Sequence, residues 1–398
     1  MGCLSWLRWR GLTACGHAGI LIQDLLSDEC SAGQRDWHHE ASKLAAQAMV
    51  TTGSAAYDPC FKSIESNQLM KALQIIHLKT SLYAIAKISM AVAAFSLASA
   101  AQASNDCADV KASIRTTAFT TKTMLANDGL CLRSFAWQPA QSPVRGVVVI
   151  THGIRDYAVR YQRFAEQLTK QGFAVFAQDL RGHAHSGGDR QRFDSMARMV
   201  EDTDMIVNFA KQSYPKVPLF VYGHSLGGLI TSRYSLDHAD KLSGVILSGA
   251  ALKRPHSVSG FSAGLAQIVA SVAPGLKVVQ VDDSEFSKDK SVMAALASDP
   301  LVSRDKLPAA TAAATLKAIA DVQQRMGQLK LPLMVMYGTA DSVNPIEGSQ
   351  AFVQAVASTD KTLKTYPGVY HDMLNEPERD QISADIIAWL LARTQQTQ

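Results

Sequence analysis

From about residue 116 onward, short apolar runs alternate with longer segments whose apolar residues recur at helical spacing. Gly146-Val147-Val148-Val149-Ile150-Thr151, the runs at 173–179 and 217–222, Gly244-Val245-Ile246-Leu247-Ser248 and Leu333-Met334-Val335-Met336-Tyr337-Gly338 are nearly continuous in apolar residues rather than alternating. A strand reads this way when both of its faces are covered, the condition of a parallel strand between layers of helices. Helices are predicted over 160–171, closed by Gly172, and over 194–213, 228–236, 348–357 and 378–392, with a further strand at 362–366. Residues 118–124 and 130–137 read as a hairpin joined by Asn127-Asp128-Gly129. Strands alternating with helices imply βαβ units and an open α/β sheet, whose ligands sit beyond the carboxyl ends of the strands. Thr151-His152, Asp179, His224-Ser225 and Ser248 close such strands, so they are expected along one rim.

Two stretches break the rhythm. Between 251 and 330, Phe261, Leu265, Ile268, Val269 and Val272 fall at helical spacing with almost no charge, Pro274-Gly275 ends the run, and a second, alanine-rich helix is predicted over 309–328. An insertion of this size between two core strands reads as a helical lid over the rim, its apolar stripe expected to pack onto the core, with a lipid-facing or acyl-binding role as the alternative. Ahead of the core, Met70, Lys71, Lys79 and Lys87 precede an apolar stretch, 88–98, and then Ala101-Gln102-Ala103. This is the layout of a secretory signal peptide over 70–103, and the apolar run is well short of the roughly 18–20 residues that a membrane span needs. Translation from Met70 and a periplasmic or secreted product are the corresponding expectations. Residues 1–69 show no sustained period and receive no fold assignment.

Composition changes this picture little. The 398 residues are 47% hydrophobic, enough for a sizeable core, and the formal charge is only +4, which argues against a nucleic-acid surface. Cleavage after Ala103 would leave Cys107 and Cys131 alone, and in an oxidising compartment one disulfide would pin the new N-terminus to the first hairpin. No cysteine or histidine group has metal-ligand spacing. His183 and His185 lack further ligands, so the loop 181–187 reads as packing behind the rim, and neither a metal nor another cofactor is expected.

The candidate chemistry lies in Gly223-His224-Ser225-Leu226-Gly227, between a predicted strand and a predicted helix. This is the context of a nucleophile elbow: small neighbours permit a sharp turn that lifts the serine hydroxyl above the sheet and leaves the Leu226 amide free at a helix start. A serine hydroxyl needs a base, and the base needs a carboxylate to fix its tautomer, in the chain order Ser, Asp or Glu, His. His371 and Asp341 each follow a late core strand and so share the rim with Ser225. Of the competing acids, Asp360 precedes its strand and Asp372 is too close to His371 to orient it from behind, while Glu347 remains open. The loop beginning His152-Gly153-Ile154 follows the 146–151 strand, and the Ile154 amide is the expected second oxyanion donor. His152, Gly153 and His224, which flank these groups, are expected to contact substrate.

The segments T-H-G-I, Q-D-L-R-G-H-A-H-S-G-G, G-H-S-L-G-G, S-D-P-L-V, Y-G-T-A-D and Y-P-G-V-Y-H-D-M-L-N-E-P, spread over 116–393, resemble those of the monoacylglycerol lipase and bacterial lysophospholipase family, also grouped with serine aminopeptidases. The resemblance implies an α/β-hydrolase fold with a mostly parallel sheet and an inserted lid at 251–330. It also implies a Ser225, Asp341, His371 triad, an oxyanion hole from Ile154 and Leu226, and hydrolysis of monoacylglycerols or lysophospholipids; transient membrane-surface contact through the lid is an expectation from its apolar stripe alone. Members of this family often carry glycine and glutamate where this chain has Arg155 and Asp156, and Ala184 replaces a usual glycine. Peptide or thioester cleavage by the same machinery, and a non-catalytic binding role, are the alternatives.

Overall fold

The computed structural model describes residues 118–255, 260–282 and 286–394, all within the compact unit Phe95–Gln398. The unassigned segment 1–69, the predicted signal peptide 70–103 and Cys107 lie outside the described residues. Cys131 is disulfide-bonded, and its partner also lies outside them.

The hairpin β1 (Thr120–Leu125) and β2 (Cys131–Trp137) leads into β3 (Gly146–Thr151), a short 3₁₀ turn (Ala158–Tyr161), α1 (Gln162–Lys170), β4 (Phe173–Gln178), α2 (Met196–Ser213), β5 (Leu219–His224), α3 (Leu226–Asp237) and β6 (Gly244–Ser248). After the insertion come β9 (Leu333–Gly338), α7 (Ile346–Ala355), β10 (Lys361–Tyr366) and α8 (Arg379–Thr394). The eight strands of this sheet run in the order β1-β2-β4-β3-β5-β6-β9-β10. Pairs β1–β2 and β2–β4 are antiparallel and the rest are parallel.

The apolar runs become strands because each is covered twice. Along β3, Val147 and Val149 enter one core layer with α2 and α3 residues such as Val207 and Leu229. Val148 and Ile150 enter the opposite layer with Phe164, Leu168 and Trp389 from α1 and α8. Edge strand β10 alternates instead, with Lys361, Leu363 and Thr365 on its exposed face and Lys364 on the other, and lysines on both faces discourage pairing of the open edge with another chain.

The insertion holds α4 (Gly260–Val272), β7 (Lys277–Val279), α5 (Lys290–Ser298), β8 (Leu307–Pro308) and α6 (Ala309–Arg325). β7 and β8 form a small antiparallel pair. Neither that pair nor α5, capped by the Asp289 side chain on the Ser291 amide at 2.9 Å, shows a pattern long enough to be read from sequence. The two predicted lid helices part company. Ala314, Ala318, Ile319 and Val322 of α6 join the main core, whereas Ile268 and Val272 of α4 are 63% and 77% exposed and Leu276 beyond it is 55% exposed. The side chains of Phe261 and Leu265 lie outside the described residues.

Candidate active site

β5 ends at His224, and Ser225 holds φ 55° and ψ −120° before α3 starts at Leu226. A non-glycine residue in such a region costs about 1–3 kcal/mol and persists only where its surroundings hold it there. Here the Ser225 amide donates to the Ser248 carbonyl at 3.0 Å, and the Ser225 carbonyl accepts from the amides of Leu229 and Ala251 at 3.2 and 3.1 Å. The elbow also presses against the loop after β3. A Cβ on Gly227 would stand 2.1 Å from the Thr151 carbonyl oxygen, and one on Gly153 would stand 3.0 Å from Ser225 Cβ. Close approach of two backbones, rather than unusual dihedrals, is what demands glycine at 227, and the tight contact with Ser225 Cβ favours it at 153.

His371 and Asp341 arrive from the loops after β10 and β9. Asp341 Oδ2 accepts from His371 Nδ1 at 2.8 Å with both side chains buried, and Asp341 Oδ1 accepts from the amides of Val343 and Asn344 at 2.9 and 3.1 Å. Burial alone would discharge the His371 imidazolium, but the charge and hydrogen bond of Asp341 overcome it and raise the His371 pKa above 6.5. Burial likewise opposes ionisation of Asp341, and His371 together with the two amides holds its pKa below 3.8. Nδ1 thus carries the proton, and Nε2 is buried with no hydrogen-bond partner among the described residues. An imidazole in this state is a base in want of a donor, and its ring lies 4.7 Å from that of His224, the residue before Ser225.

Ile154 and Leu226, the expected oxyanion donors, each adjoin a residue of the contact between Gly153 and Ser225. Leu226 is the first residue of α3, so its N–H has no partner within the helix. Ile154 follows the glycine that abuts Ser225. Two such donors aimed at one oxyanion are worth roughly 3–4 kcal/mol each.

The substrate contact expected of His152 is not available. Its Nε2 accepts from the Leu180 amide at 2.9 Å and its Nδ1 donates to the Gly153 carbonyl at 2.8 Å, so both nitrogens are consumed in fixing the loop from behind. His224 donates from Nδ1 to the Ser248 carbonyl at 3.0 Å. Burial, then the neighbouring charge of His371, lowers its pKa, and it serves as a neutral wall to the base. His183 and His185 pack as expected: His183 donates to the Arg181 carbonyl at 3.0 Å, with its pKa pushed down to about 4 by burial and then by His152. His185 pairs with the buried Asp179 at 3.1 Å, and no group of residues able to hold a metal ion occurs among the described residues.

One feature escaped the sequence. Asp156 accepts from Arg160 Nη1 at 3.1 Å and from the Tyr161 hydroxyl at 2.8 Å, and Arg160 Nη2 reaches Asp372 at 2.9 Å. This buried carboxylate–guanidinium–carboxylate chain ties the β3 loop to the His371 loop. Burial of Asp156 opposes its charge, but Arg160 and then the nearby histidines keep its pKa below 3.8. The i,i+4 spacing of Asp156 and Arg160 was the visible half of the signal; Asp372 is the half that only folding supplies. Asp372 does turn away from His371, in keeping with the choice of Asp341.

A serine strained onto a strand-to-helix elbow, above the carboxyl edge of a mostly parallel sheet and beside a carboxylate-held imidazole, is the arrangement that defines the α/β hydrolases. Within that fold, the family model described as serine aminopeptidase, S33, matches residues 142–378, and this chain belongs to that family. It is 38% identical over 256 residues to the monoacylglycerol lipase of Mycolicibacterium smegmatis, covering 64% of this chain and 91% of that protein. It is 32% identical over 269 residues to the monoglyceride lipase of Mus musculus, covering 67% and 88%. The solved monoacylglycerol lipase of Paleococcus ferrophilus superposes with a TM-score of 0.61 at 28% identity, covering 66% of this chain and 99% of that one.

Proposed function

We propose that this carboxylic ester hydrolase cleaves monoacylglycerols through an acyl-enzyme formed on Ser225. The observation that carries the reading is the buried 2.8 Å contact between Asp341 and His371 beside the strained elbow, in a relative of monoacylglycerol lipases. His371 Nε2 takes the Ser225 proton as Oγ attacks the ester carbonyl. The developing oxyanion accepts from the amides of Ile154 and Leu226, while Asp341 stabilises the imidazolium. Collapse breaks the ester C–O bond, and His371 returns the proton to the departing glycerol oxygen. Water, deprotonated by the same imidazole, then attacks the acyl-serine and releases the fatty acid.

Initial rates across monoacylglycerols of graded chain length, lysophospholipids and aminoacyl amides test this, with Ser225→Ala as the blank. Monoacylglycerols should be turned over fastest. Faster cleavage of the amides, or activity retained in Ser225→Ala, overturns the reading.

We also propose that the protein is exported from the cytoplasm. The lysine-flanked apolar stretch before Ala101-Gln102-Ala103 and the disulfide at Cys131 both support export into an oxidising compartment. N-terminal sequencing of the exported protein should begin at Ser104, and a start within 1–69 contradicts it. Exposed Ile268, Val272 and Leu276 support docking of α4 on a lipid surface. Ile268→Asp with Val272→Asp should then release the protein from phosphatidylglycerol vesicles in a sedimentation assay; unchanged co-sedimentation argues against it.

A further inference from the structure

Ile154 can serve as an oxyanion donor only if its peptide plane is held, and the next residue is an unusual means of holding it. Arg155 adopts φ 56° and is 2% exposed, a long cationic side chain turned inward from a left-handed backbone. Its Nη1 donates to the Val281 carbonyl at 3.0 Å, and its Nη2 donates to the carbonyls of Arg304 and Asp305 at 3.1 and 3.3 Å. Val281 and residues 304–305 belong to different limbs of the insertion, one following β7 and the other preceding β8. One guanidinium therefore clamps both limbs to the residue adjoining the donor amide.

We propose that Arg155 is a positioning residue, which fixes the Ile154 amide by gripping the lid. The proposal rests on the role given to Ile154 above. A left-handed backbone at a non-glycine residue relaxes unless something pins it, and relaxation at 155 turns the 154–155 peptide and so shifts Ile154, whose own amide lies on the far side of its Cα. A planar guanidinium with three carbonyl contacts pins direction as well as distance, which a lysine ammonium does not. The lid limbs at 281 and 304–305 then cannot swing without loosening the oxyanion loop, so any opening is confined to the α4 side.

Gln191 supplies an internal control. It too has a positive φ, 58°, is buried, and donates from Nε2 to the same Asp305 carbonyl at 3.2 Å and to Ser303 Oγ at 2.8 Å. It grips the same limb from a loop that carries no oxyanion donor. Lid anchoring alone predicts losses from both residues, the larger from Arg155, which also holds the Val281 limb, whereas positioning predicts an effect from Arg155 only.

The test compares Arg155→Gly with Gln191→Gly in the full-length protein, glycine being the residue that keeps either backbone unstrained. The readouts are kcat and KM on a monoacylglycerol and the affinity for an alkyl boronic acid, which forms a tetrahedral adduct with a nucleophilic serine. A donor misplaced by a fraction of an ångström to an ångström predicts a kcat loss of roughly ten- to a hundredfold. Boronate affinity should fall in parallel, KM should stay within about threefold, and Gln191→Gly should stay within about twofold of wild type in all three. Losses of kcat in both variants, or a change in KM alone for Arg155→Gly, overturns the proposal. If Arg155→Gly does not fold, Arg155→Lys carries the test: a lower kcat at held KM supports positioning, and an unchanged kcat refutes it. Wild-type turnover of the ester is the reference throughout, and its absence would sink the assigned reaction rather than the role of Arg155.

Discussion

Replacing Asp341 by asparagine removes one charge and almost no volume, and the surrounding hydrogen bonds dictate how the new amide must turn. Oδ1 of Asp341 accepts two backbone N–H groups, from Val343 and Asn344. Only the carbonyl oxygen of asparagine can accept them, so its NH₂ is left facing His371 Nδ1, where Oδ2 now accepts at 2.8 Å. Nδ1 must then become the acceptor, which moves the imidazole proton to Nε2. An Nε2 that already carries a proton cannot take another from Ser225. Wrong-tautomer substitutions of this kind cost about four orders of magnitude in kcat, equivalent to about 5.4 kcal/mol of barrier at 1.36 kcal/mol per tenfold. The pH profile should move as well. In the wild type, Asp341 outweighs burial and raises the His371 pKa, so the acidic limb of kcat/KM lies above pH 6.5. Without the carboxylate charge burial prevails, and any residual activity should show its acidic limb at lower pH. Initial rates on p-nitrophenyl butyrate from pH 5 to 9, with thermal unfolding as a check on the fold, read both effects. A variant within tenfold of wild type, with its acidic limb unmoved, would refute the assignment of Asp341.

The elbow and the buried ion chain lend themselves to similar tests. Ser225→Gly should abolish ester turnover yet stabilise the protein by about 1 kcal/mol in urea unfolding, because glycine accepts φ 55° without strain; a loss of stability would show that the serine is not strained. Arg160→Met leaves Asp156 and Asp372 buried without their shared cation, and should cost roughly 3–5 kcal/mol at neutral pH. The sign with pH is set by Asp156. Its wild-type pKa is depressed, so it contributes stability above pH 3.8 that is lost as the pH falls through the folded value. In the variant the folded pKa of Asp156 rises instead, so the penalty should shrink as the pH approaches 4; a pH-independent penalty in urea titrations would contradict this. Gly227→Ala would set its Cβ 2.1 Å from the Thr151 carbonyl oxygen, and should yield little soluble enzyme when expression is compared with wild type.

The buried parallel strands were legible because double coverage leaves a continuous apolar run. The predicted 146–151, 244–248 and 333–338 coincide with β3, β6 and β9. The elbow and the order of serine, aspartate and histidine were legible because the chemistry restricts residue type at each strand end. Strand order was not, since nothing local tells β3 to lie between β4 and β5. The tasks of His152 and Arg155 were hidden for a related reason. Their partners are backbone groups, the Leu180 amide and the carbonyls of Val281, Arg304 and Asp305, and a backbone group leaves no mark in a residue pattern. Asp372 gave a partial signal: its closeness to His371 argued against the orienting role, but its pairing with Arg160, distant in the chain, needed the fold. In the insertion, the spacing of α4 and α6 was read as helical, but the expectation that the α4 stripe packs onto the core does not hold at Ile268 and Val272. Alanine at 314 and 318 fits the crowded core, and Ile268 and Val272 do not.

The central claim is that Ser225 is the nucleophile of an acyl-transfer site. Mass-spectrometric peptide mapping after reaction with a fluorophosphonate, with and without competing monoacylglycerol, tests it most directly. One adduct per chain is expected, on Ser225, formed more slowly as the monoacylglycerol concentration rises. No adduct, or an adduct on another residue, would contradict it.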